Sequence, residues 1–322
     1  MNILVVHRVG AAFGYITDGW INALRDKGHN VRRWDGLEQS WYDFKPDLYI
    51  GCSGHKQPIP SKRNTKVAIH VNPYGPVNVI ANDGRINESD AAIRWTVNQK
   101  PDVVFGYGDD EDKLLWSYWE SKHGIRWVPM PVAGDKTQYR TRSDQPKYDI
   151  VYLGGRWAYK GLTIDEYLLP LFKKCPEEGV TYKIFGWGDW PPDLGVKVLA
   201  EDQSASFLAS GKIGPCISEK HTHDFGIDIP ERAFKLALCG VLVVHDTVPA
   251  IRRYIPHALI GQGAEHFQKL CLSYARPEAD SERKEIASKQ RDFVLKHHTY
   301  HNRMATLLSS MGFKSEAESM LK

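Results

Sequence analysis

Residues Tyr148 to Gly161 read YDIVYLGGRWAYKG. Asp149 to Leu153 is a run of apolar and β-branched residues with the length of a buried strand. Gly154 and Gly155 follow at once, and they let the backbone turn tightly and come close to a ligand. Arg156 and Lys160 place two cations just beyond that turn. Leu162 to Lys174 then reads as a helix, with Leu162, Tyr167, Leu168, Leu169, Leu171 and Phe172 mostly on one side. Strand, glycine turn, cations and helix N-terminus make a place for an anion, most often a phosphate. An ordinary strand–helix turn with solvated cations uses the same residues.

The same alternation runs towards the N-terminus. Asn2 to Val6 is a strand, HRVGAAFG (7–14) a loop, Thr17 to Lys27 a helix ended by Gly28, and His29 to Trp34 the next strand. This is the opening of a parallel α/β domain, whose ligands bind beyond the C-terminal ends of its strands. That rule puts Gly10, Gly14 and Asp18 at a cleft. Gly10 and Gly14 do not make a GxGxxG, so a dinucleotide fingerprint is weak. Asp47 to Gly51, Lys66 to Val71, Asp102 to Phe105 and Arg126 to Met130 read as further strands, and Asp112 to Lys122 as a helix. The loop HKQPIPSKRNTK (55–66) carries Lys62 and Arg63, as a solvated loop or as a contact surface for an anionic acceptor.

Ala133 to Lys147 is polar and without apolar period, as a linker is. Beyond YDIVYLGGRWAYKG, strands are expected at Tyr182–Phe185, Val196–Leu199, Ile213–Ile217 and Val241–His245. Helices are expected at Pro230–Leu238, Ala264–Ala275 and Pro277–His297, with a helical tail from Thr299. Two α/β halves with a cleft between them is the architecture these signals describe.

The 322 residues have an ordinary globular balance, with 42% hydrophobic and 25% charged residues. A net charge of +3 neither demands nor excludes a nucleic-acid partner. Five scattered cysteines without a CxxC point to a reduced, cytoplasmic chain. No apolar stretch has the length of a membrane span.

KVAIHVNP, VPMPVAGDKTQYR, DIVYLGGR, YKIFGWGDW, ERAFKLALCGVLVVHDT and KHHTYHNRMATLL occur in the order seen in glycosyltransferases of the two-domain GT-B fold. The chain resembles the spore-maturation (CgeB-like) group, related to the group 1, family 4 enzymes, across most of its C-terminal half. Its N-terminal half resembles them in outline only. The resemblance implies two Rossmann-like domains facing across a cleft. Residues 1–138 form the acceptor side, 139–300 bind a nucleotide-sugar donor, and 301–322 form a helix that returns to the first domain. It implies a metal-independent transferase with no cofactor, which moves a sugar from a nucleoside-diphosphate sugar, expected to be a UDP-sugar, to a hydroxyl. It places Arg156 and Lys160, after Gly154 and Gly155, on the donor diphosphate. In ERAFK, Arg232 matches the family, whereas Lys235 stands where related enzymes have a ribose-binding Glu. A Lys cannot accept from ribose hydroxyls. Lys235 then binds phosphate, with Arg232 sharing that task, or is a solvated helix residue.

Phe185, Gly186 and Trp187 suit a flat base packed against backbone, or the core of an interface. An inverting transfer needs a base at the acceptor hydroxyl. Asp18 is the first choice, ahead of His70 and His7. The acceptor is either a saccharide, protein or small molecule, or a hydroxymethylated base in DNA, for which the tryptophans would serve a flipped base. A nucleotide-sugar epimerase of the same fold and a non-catalytic nucleotide-sugar-binding protein are the alternatives. His297 and His301 have a metal-binding spacing without an evident third ligand, and no metal is expected.

Overall fold

The structure is a computed structural model. It describes residues 1–322 except 7–10, 35–42, 54–63, 73–79, 82–83, 86–87, 142–144, 220–221, 224–225 and 227–228, with backbone only at 11–12, 80–81, 84–85 and 158–159. The chain falls into two compact units. Unit 1 is Met1–Ile80, Gly84–Thr137 and Tyr300–Lys322, and unit 2 is Ala81–Asp83 with Gln138–Thr299.

Unit 1 holds β1 (Asn2–Val6), β2 (Asn30–Trp34), β3 (Leu48–Cys52) and β4 (Lys66–His70). Two-residue strands β5 (Ile80–Ala81) and β6 (Gly84–Arg85) lie outside its sheet, and β7 (Val103–Gly106) and β8 (Trp127–Pro129) complete it. The order is β2-β1-β3-β4-β7-β8, with parallel pairing throughout. Parallel strands are covered on both faces, so they read as continuous apolar runs. Ile3, Leu4 and Val5 of β1 and Val103, Val104 and Phe105 of β7 are accordingly fully buried. The winding reverses between β1 and β3, which is where such sheets form a ligand crevice.

Helix α1 spans Ala11–Asp26, so it starts a turn and a half before the expected Thr17 and takes in Gly14. A glycine inside a helix costs about 1 kcal/mol. The buried face of Ile16, Trp20, Ile21 and Leu24 outweighs that. Asp18 therefore stands two turns inside the helix, not at its start. Helix α2 (Asp90–Gln99) is capped by the Ser89 hydroxyl, which accepts from the Ala92 N–H. The helix expected over 112–122 divides into a 3-10 segment, Asp110–Leu115, and α3, Ser117–His123. Asp109 and Asp112 cap the 3-10 segment reciprocally.

Unit 2 is a five-stranded parallel sheet of β9 (Tyr148–Leu153), β10 (Tyr182–Phe185), β11 (Gly211–Cys216), β12 (Leu242–His245) and β13 (Leu259–Ile260). Its order is β10-β9-β11-β12-β13. No strand forms over 196–199; Lys197 makes only a single bridge to Phe185. The helix after β9 runs as α4 (Ala158–Thr163), a π turn (Ile164–Leu168) and α5 (Leu169–Glu177). Pro170 explains the interruption, because it has no N–H for the carbonyl four residues back. That carbonyl, of Glu166, accepts from Gln268 Nε2 at 3.4 Å, and Leu169 N–H reaches back to Ile164 O. Helices α6 (Ser204–Leu208), α7 (Glu231–Leu238), α8 (Ile251–Tyr254), α9 (Ala264–Ala275) and α10 (Asp280–His297) follow. The core holds Ile150, Tyr152, Leu171, Phe172, Leu242, Val244 and Phe267.

Helices α11 (Tyr300–Ser310) and α12 (Lys314–Leu321) belong to unit 1. Tyr300 donates its N–H to Gly134 O at 3.0 Å, His301 Nε2 meets Asp26 at 2.8 Å, and Arg303 Nε donates to Pro131 O at 2.6 Å. The Tyr300 ring lies on Gly19 of α1, where a Cβ would fall 2.1 Å from its Cδ2. Among the described residues no helix is long and apolar enough to cross a membrane. Gly19→Ala is expected to destabilise unit 1 by about 1–3 kcal/mol, because the fully packed ring has to move. Urea denaturation followed by tryptophan fluorescence checks this; an unchanged midpoint would show that Tyr300 does not anchor the return.

Candidate functional site

The glycine turn after β9 is joined to the turn after β10 by backbone alone. Gly154 N–H donates to Phe185 O at 3.0 Å and Arg156 N–H to Trp187 O at 2.9 Å. The approach needs glycine at position 186, where a Cβ would fall 2.0 Å from Gly154 O. It needs glycine at position 155 as well, since a Cβ there would fall 2.4 Å from the Trp187 indole. Trp187 thus lies over the turn with its side chain largely exposed, free to stack on a flat group. Phe185 goes elsewhere: its ring meets Phe207 edge-on at 4.8 Å.

The two cations of the turn have different fates. Arg156 uses its three nitrogens on the protein. Nε and Nη2 bind the two oxygens of Asp165 at 3.1 and 2.8 Å, and Nη1 donates to Asp189 O at 2.7 Å. It clamps the helix to the turn after β10. Lys160 is half-buried and makes no hydrogen bond or ion pair to a described residue. Burial, and then the repulsion of Arg232, push its pKa down to about 8.

Arg232, in the first turn of α7, is the unusual group. Its side chain is buried, with the guanidinium carbon 4.3 Å from the centroid of the Tyr152 ring. Nε and Nη1 are buried and meet no hydrogen-bond acceptor among the described residues. Buried donors of a charged group left without acceptors are costly, so two of them on one guanidinium call for an explanation such as a bound ion or a functional role. Gly154 leaves the space beside it: a Cβ there would fall 3.1 Å from Arg232 Nη1. Lys235 is buried, not solvated. Its amino group lies 2.6 Å from Glu231 and 5.2 Å from the Tyr139 ring centroid. Burial alone would lower its pKa; Glu231 and Tyr139 outweigh that and raise it.

Sequence reading passed over the strand end beside these cations. Asp246 follows β12 and is fully buried. It accepts from Ser218 N–H at 2.6 Å and Ser218 Oγ at 3.1 Å, and it meets His223 Nε2 at 3.0 Å and His245 Nδ1 at 2.8 Å. Burial opposes its ionisation, but the two histidines outweigh burial and hold its pKa far below the usual carboxylate range. His223 Nδ1 lies 3.1 Å from Thr247 O, so both ring nitrogens face oxygens. A carboxylate ending a strand of a parallel sheet was the available signal, because that edge is where such sheets bind.

In unit 1, Asp18 is paired with Arg33 of β2. His70 is buried among rings, with centroids at 4.6 Å to Tyr107, 5.0 Å to Phe13 and 5.5 Å to Phe105. Its Nε2 has no hydrogen-bond partner among the described residues, and burial pushes its pKa down to about 3. His7, Lys62 and Arg63 lie outside the described residues. Among the described residues no group of three or more His, Cys, Asp or Glu is arranged to hold a metal.

A glycosyl transferase-like family model matches residues 167–309. No curated protein matches the chain. Solved structures similar to it include T4 phage β-glucosyltransferase with UDP and Mn2+, at 15% identity and TM-score 0.61 over 99% of this chain and 100% of that one. A DNA-modifying β-glucosyltransferase, solved with and without uridine diphosphoglucose, matches at 12% identity and TM-score 0.58, over the same shares. Sucrose-phosphate synthase from Thermosynechococcus elongatus matches at 11% identity and TM-score 0.61, over 98% of each chain. At these identities the likeness is one of fold, and the fold is GT-B, two Rossmann-like units.

His70 generates a prediction. Its folded pKa lies below the unfolded value of about 6.5, so the unfolded chain binds more protons below that pH. Its stabilising share is complete above about pH 6.5 and is lost as pH falls towards 3. The urea midpoint is expected to drop between pH 7 and 5, and His70→Phe to flatten that slope by up to about 1.4 kcal/mol per pH unit. An identical slope in the variant would mean that His70 is not held neutral.

Proposed function

We propose that this chain is a glycosyltransferase that moves a sugar from a nucleoside-diphosphate sugar, held by unit 2, to an acceptor hydroxyl. The observation that carries the reading is the buried Arg232, whose Nε and Nη1 have no acceptor among the described residues. With Lys160 and the backbone of Gly154 and Gly155 it forms a cationic site suited to an anion. As the bond from sugar to phosphate breaks, negative charge grows on the diphosphate. Cations fixed in place beforehand lower that barrier, typically by about 3–4 kcal/mol per removed group. In this reading Arg232 and Lys160 face the diphosphate and Trp187 stacks on the base. Arg156 holds the two turns in register, and Glu231, held by Lys235, serves the ribose in place of the family's Glu.

The donor is a UDP-sugar in this reading, as the UDP and uridine diphosphoglucose complexes of the structural relatives favour. Transfer needs no metal, because the cations already balance the diphosphate. The T4 phage structure with UDP and Mn2+ makes that a point for experiment. A hydroxymethylated base of DNA is the acceptor favoured by the DNA-modifying relative; a saccharide, protein or small molecule is the other class. Five buried free cysteines suit the reduced cytoplasm.

Arg232→Met removes the buried charge and keeps the volume. UDP binding, followed by calorimetry in EDTA, is expected to weaken at least tenfold. The melting temperature without ligand is expected to stay or rise, because an unpaired buried charge has gone. A merely structural Arg232 would lose stability and leave UDP affinity alone. Binding only with added Mn2+ would defeat the metal-independent part.

Lys160 supplies a second test. Its amino group is partly neutral above about pH 8, and an arriving diphosphate favours the charged form. UDP binding is therefore expected to take up protons at pH 8–9, and affinity to fall as pH rises through that range. Calorimetry in two buffers of different ionisation enthalpy reads the uptake. Equal heats in both, or the same uptake in Lys160→Met, would remove Lys160 from the site.

A further inference from the structure

Unit 1 carries a buried carboxylate at the C-terminal edge of its sheet. Glu88 stands directly before Ser89, the cap of α2, and is buried. Its Oε2 accepts from Ser53 Oγ at 2.5 Å and from Asn72 N–H at 3.0 Å. The Ser89 backbone also donates to the carboxylate. Ser53 is the first residue beyond β3, and Asn72 the second beyond β4. The carboxylate is thereby fixed at the C-terminal edge of two central strands, with β3 lining the point where the winding reverses.

The other candidates at this edge are less suited to taking a proton. Asp18 is spent on Arg33. The His70 ring is enclosed by Tyr107, Phe13 and Phe105, and the residue meets Ser53 through its backbone, where Ser53 N–H donates to His70 O at 2.9 Å. We propose that Glu88 is the general base that accepts the proton of the acceptor hydroxyl. The proposal rests on the transfer reading given above.

The step balances as a single displacement. The acceptor oxygen forms its bond to the anomeric carbon as its proton passes to Glu88. The bond from that carbon to the phosphate oxygen breaks, and the nucleoside diphosphate leaves with the electron pair. The configuration at the sugar carbon inverts. Burial raises the pKa of Glu88 above the ordinary carboxylate range, and the donors from Ser53, Asn72 and Ser89 pull it partly back. No charged described group acts on it, and the buried ring of His70, whose pKa burial pushes down to about 3, adds no charge near neutrality. A carboxylate of raised pKa is a stronger base and suits proton abstraction better than an ordinary one.

The test uses the full chain, with UDP-sugars as donors and an acceptor panel of hydroxymethylated DNA and saccharides. Glu88→Gln keeps the shape and an acceptor oxygen for Ser53. It is expected to lower kcat by a hundredfold or more. UDP affinity by calorimetry should stay within about twofold, because the donor is held by unit 2. Ser53→Ala removes one donor to the ionised form, so the acidic limb of its kcat/KM profile should move to higher pH. That shift is a readout a merely structural Glu88 would not give, and it decides the matter if Glu88→Gln fails to fold. Full activity in Glu88→Gln, an unmoved limb in Ser53→Ala, or a product of retained configuration would each overturn the assignment and leave the transfer reading standing. A wild-type chain that binds no UDP and consumes no UDP-sugar overturns the transfer reading itself, and the role of Glu88 with it.

Discussion

The cost of a buried guanidinium organises unit 2. Arg232 lies against the Tyr152 ring, with two of its nitrogens buried and without an acceptor among the described residues. No ordinary packing argument keeps it there, since an apolar side chain of the same volume would fold as well or better. The features around it serve the same space. Gly154 leaves room beside Nη1, Lys160 adds a second cation, and Arg156 locks the turn by giving all three of its nitrogens to Asp165 and Asp189. Asp246 supplies negative charge to the same region, but the two histidines and Ser218 consume it locally.

The two strand edges differ in electrostatic character in a way that suits their proposed tasks. In unit 2, beside the glycine turn, the buried Arg232 has two nitrogens without an acceptor among the described residues, and Lys160 is close enough to feel its charge. In unit 1 burial drives two of the buried titratable groups, Glu88 and His70, towards the neutral form. Anion capture needs a fixed positive field, whereas proton abstraction needs a weakly solvated carboxylate.

Much of the fold was legible in the sequence because parallel strands buried on both faces leave unbroken apolar runs, as NILVV and IVYL do. Val196–Leu199 misled because short apolar runs carry no evidence of a pairing partner, and Lys197 makes one bridge only. The π turn was hidden because its cause, Pro170, acts through a carbonyl that Gln268 reaches from 102 residues further along the chain. Within the site, glycines and cations announced themselves by type. Their division of labour did not: Arg156 and Arg232 look alike in sequence, and only Asp165 and Asp189 decide which one is occupied. Asp18 was misplaced because a helix that tolerates Gly14 begins six residues early. Glu88 gave no signal, because a lone Glu before a helix cap reads as surface, and its burial comes from Ser53 and Asn72.

The return of α11 and α12 to unit 1 has a consequence for the order of assembly. Unit 2 is almost one continuous segment, Gln138–Thr299, and its five strands are all synthesised before Tyr300 emerges. Unit 1 is made first, but it lacks the ring that sits on Gly19 and the histidine that meets Asp26 until the last helices are translated. On the ribosome, therefore, the first half waits with part of α1 uncovered while the second half is built. A chain cut short near residue 300 would keep every strand of both sheets and lose the closure of the half that was made first.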